Sequence, residues 1–102
     1  MVGGLVVHEF GHQLLQDLRT TRGATAELQS RVSSVLGRPY DLSVPHGDTM
    51  RGLIQAELSM YGATNPTEMV AEAFTEYRLS SEPRALARAV GDVIDHYLEG
   101  PL

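Results

Sequence analysis

The sequence contains no cysteine, which excludes disulfides, thiol catalysis and Cys-ligated zinc and leaves the compartment open, because secreted proteins also occur without Cys. It has no excess of positive charge. Eight basic residues, all of them Arg, stand against 13 acidic ones for a formal net charge of −5. That balance offers no electrostatic footprint for a nucleic-acid backbone or an anionic membrane surface. Long apolar runs are missing too: the stretch around Leu5 to Val7 is broken by His8 and Glu9, far short of the roughly 20 residues a membrane span needs. The first residues lack the basic region of a secretory signal. No period-2 run is long enough to define a sheet, and there is no internal repeat or low-complexity tract.

The 102 residues, 42% hydrophobic and 21% charged, have the composition of one small soluble domain. Helix signals recur along the whole length, so the expected fold is mainly α, with about five helices and little or no β-sheet. Val7, Phe10, Leu14 and Leu18 share one side of a helix from Leu5 to about Arg19. A second helix, from about Thr25 to Leu36, uses Leu28, Val32, Val35 and Leu36 and stops at Gly37. Pro39, Pro45 and Gly47 make a loop of residues 38–48, and Asp48 is the expected N-cap of a third helix through about Ala56. Leu58 to Gly62 reads as a short extended segment. Asn65 followed by Pro66 is an N-cap with proline at the first helical position, opening a helix to about Leu79. Ser81 and Pro83 repeat that signal before a last helix with Leu86, Val90, Val93 and Tyr97 on one face, ending at Gly100 and Pro101.

The chemistry concentrates in His8-Glu9-Phe10-Gly11-His12, a His-Glu-x-x-His pattern on a helix. Four residues of helix turn by about 400° and rise about 6 Å, so the two imidazoles project from one face within reach of one tetrahedral ion. Glu9 lies about 100° round from His8, poorly placed as a ligand but close to where water on the ion would sit, which makes it the natural general base. Zinc is the expected metal. Catalytic zinc usually keeps three protein ligands, and residues 13 to 18 hold no third His. The remaining candidates are Glu68, Glu72 and Glu76, spaced four apart on the Asn65-Pro66 helix, and the isolated His46 and His96. The three Glu lie opposite Val70, Phe74 and Tyr77, a pattern that a solvated helix side would also show. His46 in its Pro/Gly loop and His96 beside Asp95 have the character of surface residues.

Two blocks, His8-Glu9-Phe10-Gly11-His12 and the stretch from Leu58-Ser59-Met60-Tyr61-Gly62 through Asn65, Glu68 and Glu72 to Phe74, resemble the catalytic domain of anthrax toxin lethal factor and its relatives. Those proteins are zinc metalloproteases of the gluzincin class. The resemblance implies a single zincin-like metallopeptidase domain over residues 1–102, with His8, His12 and Glu68 as zinc ligands and Glu9 as base. It also implies Glu72 as a carboxylate behind the ligands and Tyr61 as donor to the oxyanion. Read from the residues alone, Tyr61 is a tyrosine before a turn glycine, a position that more often serves packing than chemistry.

The implied activity is hydrolysis of peptide bonds in a peptide or protein substrate. Gluzincins place a β-sheet before the metal helix, with an edge strand that holds the substrate extended, whereas only seven residues precede His8. The expectation is therefore a catalytic core that takes its substrate platform from upstream domains of a parent chain or from elsewhere, and that cleaves slowly without one. Two other readings stand beside it. One is a non-catalytic zincin-scaffold module for binding or assembly in a phage or toxin protein. The other is an intracellular repressor-cleaving peptidase, whose distinguishing feature would be a fused DNA-binding domain.

Overall fold

Glycine and proline punctuation cuts the chain into five α-helices in the computed structural model, which describes residues 2–99, with side chains from Phe10 to Leu98. They are α1 (Val2–Thr20), α2 (Ala24–Leu36), α3 (Asp48–Glu57), α4 (Pro66–Leu79) and α5 (Ala85–Ile94), and α5 runs on into a π-helical turn over Asp95–Glu99. No strand occurs among the described residues, and none of their helices is long and apolar enough to cross a membrane.

α4 is the axis of the domain. It packs against α1 on one side and α5 on the other, and α5 in turn carries α2. The sequence explains this placement, because α4 buries Met69, Val70, Ala71, Ala73 and Phe74 on nearly all sides. Leu18 of α1, Leu28 and Val32 of α2, Ile54 of α3, and Leu86, Val90 and Ile94 of α5 complete the same core cluster with no exposed surface. Each such side chain contributes about 1.5–3 kcal/mol of burial.

Helix ends follow local chemistry where the cap residue is right. Gly37 ends α2 in the left-handed region, at φ 73°, and donates to Ser33 O, a conformation that costs glycine little. Asn65 accepts from the Glu68 N–H through its side chain, with Pro66 in the first turn, which fixes where α4 begins. The other two expected caps differ. Gly47, not Asp48, caps α3; Asp48 is already helical and its carboxylate pairs with Arg51 instead. Arg84 stands at the N-cap of α5 without a side-chain cap, and its backbone N–H is held by Glu76 Oε2 at 2.8 Å. A carboxylate from α4 thus does the capping that the sequence pattern assigns to Ser81.

Two packing details depart from simple periodicity. In α1, Leu14 and Leu18 are buried as expected, but Phe10 is 40% exposed, standing at the rim with its ring 5.8 Å from that of Phe74. Gly11 and Leu15 take the inward places. The last helix does not stay regular to Gly100: it widens to π geometry at Asp95, where Asp95 Oδ2 accepts from the Tyr77 hydroxyl at 2.5 Å. Its expected end at Gly100 and Pro101 lies outside the described residues.

Candidate functional site

The motif helix meets α4 at Gly11. A β-carbon there would lie 2.6 Å from the backbone oxygen of Thr67 and 2.9 Å from Ala71 Cβ, so only glycine allows the two helices to come this close. The immediate chain neighbours of the contact are His12 on α1 and Glu68 on α4. One turn beyond Glu68, next to Ala71, stands Glu72. His8 and Glu9 share the same unbroken helix, shortly before His12; their side chains lie outside the described residues.

The three glutamates of α4 separate sharply by environment. Glu68 is only 3% exposed and sits in the first helical turn, its backbone bonded to the Asn65 cap at 2.9 Å. A carboxyl group buried this deeply is tolerated only where hydrogen bonds, an opposite charge, a bound cation or protonation offsets the loss of water. Glu72 is half-buried and lies 3.5 Å from the Ser59 hydroxyl; burial, joined by the negative charge of Glu68, raises its carboxyl above the ordinary range against the opposing pull of Ser59. Glu76 is engaged elsewhere. Arg84 grips it through Nη2 at 2.6 Å and Nε at 3.1 Å, and that pairing holds its carboxyl below the usual range. As a candidate ligand Glu76 is accounted for by this clasp. The face carrying these residues is not a solvated one.

Leu58 to Gly62 does not extend. The chain turns tightly here, with Ala63 N–H on Ser59 O at 3.1 Å, Thr64 N–H on Tyr61 O at 3.2 Å, and Gly62 N–H on the Ser59 hydroxyl at 2.9 Å. Ser59 supplies this local alternative to strand pairing. The turn rests on α4: a β-carbon at Gly62 would lie 2.7 Å from Leu58 Cδ2 and 3.3 Å from Glu72 Cβ. It therefore presents Tyr61, 46% exposed, from the segment leaning on Glu72.

His46 is not a surface residue. It is 6% exposed, with Nδ1 2.8 Å from Ala63 O and Nε2 2.7 Å from the Tyr40 hydroxyl. Burial, opposed by the Ala63 bond and aided by Arg51, lowers its pKa below the ordinary imidazole value, and burial raises that of the Tyr40 hydroxyl. Tyr40, Leu42 and His46 are all turned inward but Val44 between them is 49% exposed, so the loop carries no periodic signal that could have marked His46 as buried. His96 is exposed, edge-on to Tyr97 at 4.7 Å between ring centres, on the π turn.

A groove of about 280 Å³ opens beside His12, walled by Leu15, Arg19, Val44, Pro45 and Pro66. Two imidazoles and a buried carboxylate, were His8, His12 and Glu68 to converge, would suit zinc, which takes nitrogen and oxygen ligands in tetrahedral geometry. Among the described residues no group of three His, Asp or Glu side chains stands together as a ligand cluster; the set His8, His12 and Glu68 reaches beyond them, through the side chain of His8.

Comparison of the chain with protein-family models, with curated proteins and with solved structures gives no match.

Proposed function

We propose that the protein is a zinc-dependent endopeptidase core of the lethal-factor-like, gluzincin type. The observation that carries this reading is the seat of Gly11 on Thr67 and Ala71, which sets His12 of the His-Glu-x-x-His helix beside the segment bearing Glu68 and Glu72. A helical repeat alone would not require a glycine at that contact, nor bury a carboxylate to 3% exposure next to it.

In this reading His8, His12 and Glu68 hold the ion, and Glu72 braces the ligands from behind. Bound zinc supplies Lewis-acid polarisation of water and of the peptide carbonyl. Glu9 takes the proton of the attacking water and delivers it to the leaving amine, so the carboxylate ends the cycle as it began. Tyr61 donates a hydrogen bond from its phenolic hydroxyl to the charge that develops on the substrate oxygen. The buried start of α4 keeps Glu68 in place through the Asn65 cap.

The test is metal content and thermal melting of the purified chain with and without chelator, joined to cleavage of a peptide library. Zinc binding that raises the melting temperature, with cleavage lost in chelator and in Glu9→Gln while that variant keeps its zinc, is the expected result. A chain that neither binds zinc nor melts differently in its presence sinks the proposal. Loss of metal in Glu9→Gln would make Glu9 a ligand and overturn its role as base.

A further inference from the structure

The turn that carries Tyr61 is tied to the rest of the molecule at both ends by side chains from distant segments. Arg84 Nη2 donates to Leu58 O at 2.6 Å on one side. On the other, His46 reaches Ala63 O at 2.8 Å. Arg84 is exposed, whereas His46 and Ala63 are both buried, at 6% and 3% exposure.

The proton arrangement at His46 follows from its partners. A backbone carbonyl only accepts, so Nδ1 bears the hydrogen, and Nε2 is left to accept from the Tyr40 hydroxyl 2.7 Å away. Tyr40 is 5% exposed and so is itself fixed by packing. The chain Tyr40 to His46 to Ala63 thus runs from the loop before α3 into the turn before α4, with each donor facing an acceptor. Tyr61 lies two residues from its end. Because that side chain is nearly half exposed, neighbouring groups hold it only in part, and the backbone of the turn sets where its hydroxyl stands.

We propose that His46 is a positioning residue: through its bond to Ala63 O, with its tautomer set by Tyr40, it clamps the Ser59–Thr64 turn and thereby holds the Tyr61 hydroxyl in register for the substrate oxygen. The inference rests on the peptidase reading for the role of Tyr61, but the clamp itself does not. An imidazole here fixes the turn in a way an apolar side chain of similar size cannot, since removing the donor leaves a buried carbonyl unpaired.

The experiment compares His46→Leu, His46→Asn and Tyr40→Phe in the full, zinc-loaded chain. It uses amide hydrogen exchange resolved by residue and steady-state cleavage of a fluorogenic peptide taken from a library. His46→Leu should speed exchange at Ala63 and Thr64 by about ten- to a hundredfold relative to Val70 and Phe74 in α4. Its kcat should fall about tenfold with KM unchanged, the pattern of a contact made only in the transition state. His46→Asn, whose Nδ2 can take the place of Nδ1, should restore both, and Tyr40→Phe should shift both in the direction of Leu by a smaller factor. Tyr40→Phe keeps the core filled and decides the matter if the Leu variant does not fold.

Turn amides that exchange in step with α4 in these variants overturn the clamp. An Asn variant that behaves like Leu overturns it as well, by assigning the effect to packing, and unchanged kcat with a loosened turn refutes the link to Tyr61. A chain that cleaves no peptide in any form refutes the peptidase reading, and the exchange ratio then still decides the clamp.

Discussion

Gly11→Ala tests the helix contact on which the candidate site is built. The added β-carbon would stand 2.6 Å from Thr67 O, where ordinary contact begins at 3.4 Å. The obstacle is backbone, which no rotamer change relieves, so α1 and α4 must part by roughly 0.8 Å. Overpacking of this kind costs about 1–3 kcal/mol, against a gain of up to about 1 kcal/mol from replacing a helical glycine with alanine. The net expectation is a loss of about 1–2 kcal/mol, or about 5–15 °C in melting temperature for a domain of this size. Zinc affinity should suffer more, by tenfold or more on the order of magnitude seen for displaced ligand shells, because metal geometry tolerates only about 0.2 Å. Gly52→Ala is the internal control, since a β-carbon there meets nothing within 4 Å and should stabilise through helix propensity alone. Thermal melts followed by circular dichroism, with zinc affinity by competition against a chromophoric chelator, read both quantities. If Gly11→Ala melts as high as Gly52→Ala and binds zinc as tightly as the parent, close approach at Gly11 does not set the site.

The α4 glutamates should separate: Glu68→Ala should abolish tight zinc binding, whereas Glu72→Ala should weaken metal affinity or activity by about 10–100-fold, as measured by chelator competition and peptide cleavage; the reverse order would exchange their roles. Gly91→Ala would push a β-carbon into the Tyr77 ring and should cost about 3 kcal/mol in urea unfolding, while an unchanged midpoint would mean that the ring is not seated there. In the metal-free chain the lowered pKa of His46 means that the unfolded state binds its proton first as pH falls. Its contribution to stability is therefore complete above the ordinary imidazole value of about 6.5 and is lost as pH drops through that value to the depressed one. The difference in urea midpoint between parent and His46→Asn should follow that window, and a pH-independent difference would refute the assignment.

Five helices and part of their punctuation are legible in the sequence because the signals involved act within one turn: the 3.6-residue periodicity of Leu28, Val32 and Leu36, the glycine after α2, the Asn65-Pro66 cap. The four-residue spacing of His8 and His12 is local in the same sense. What tertiary structure decides lies across longer separations. Glu68, Glu72 and Glu76 are equivalent by spacing, yet one is buried at the α1 contact, one leans on Ser59 and one is clasped by Arg84. Leu58 to Gly62 has the pattern of an extended segment, but the Ser59 hydroxyl and the surface of α4 close it into a turn. His46 has the local character of a surface residue because its partners, Tyr40 and Ala63, come from either side of α3. Burial is set by which surfaces the helices bring against one another, and a carboxylate or imidazole carries no mark in its own neighbourhood of what will be packed over it.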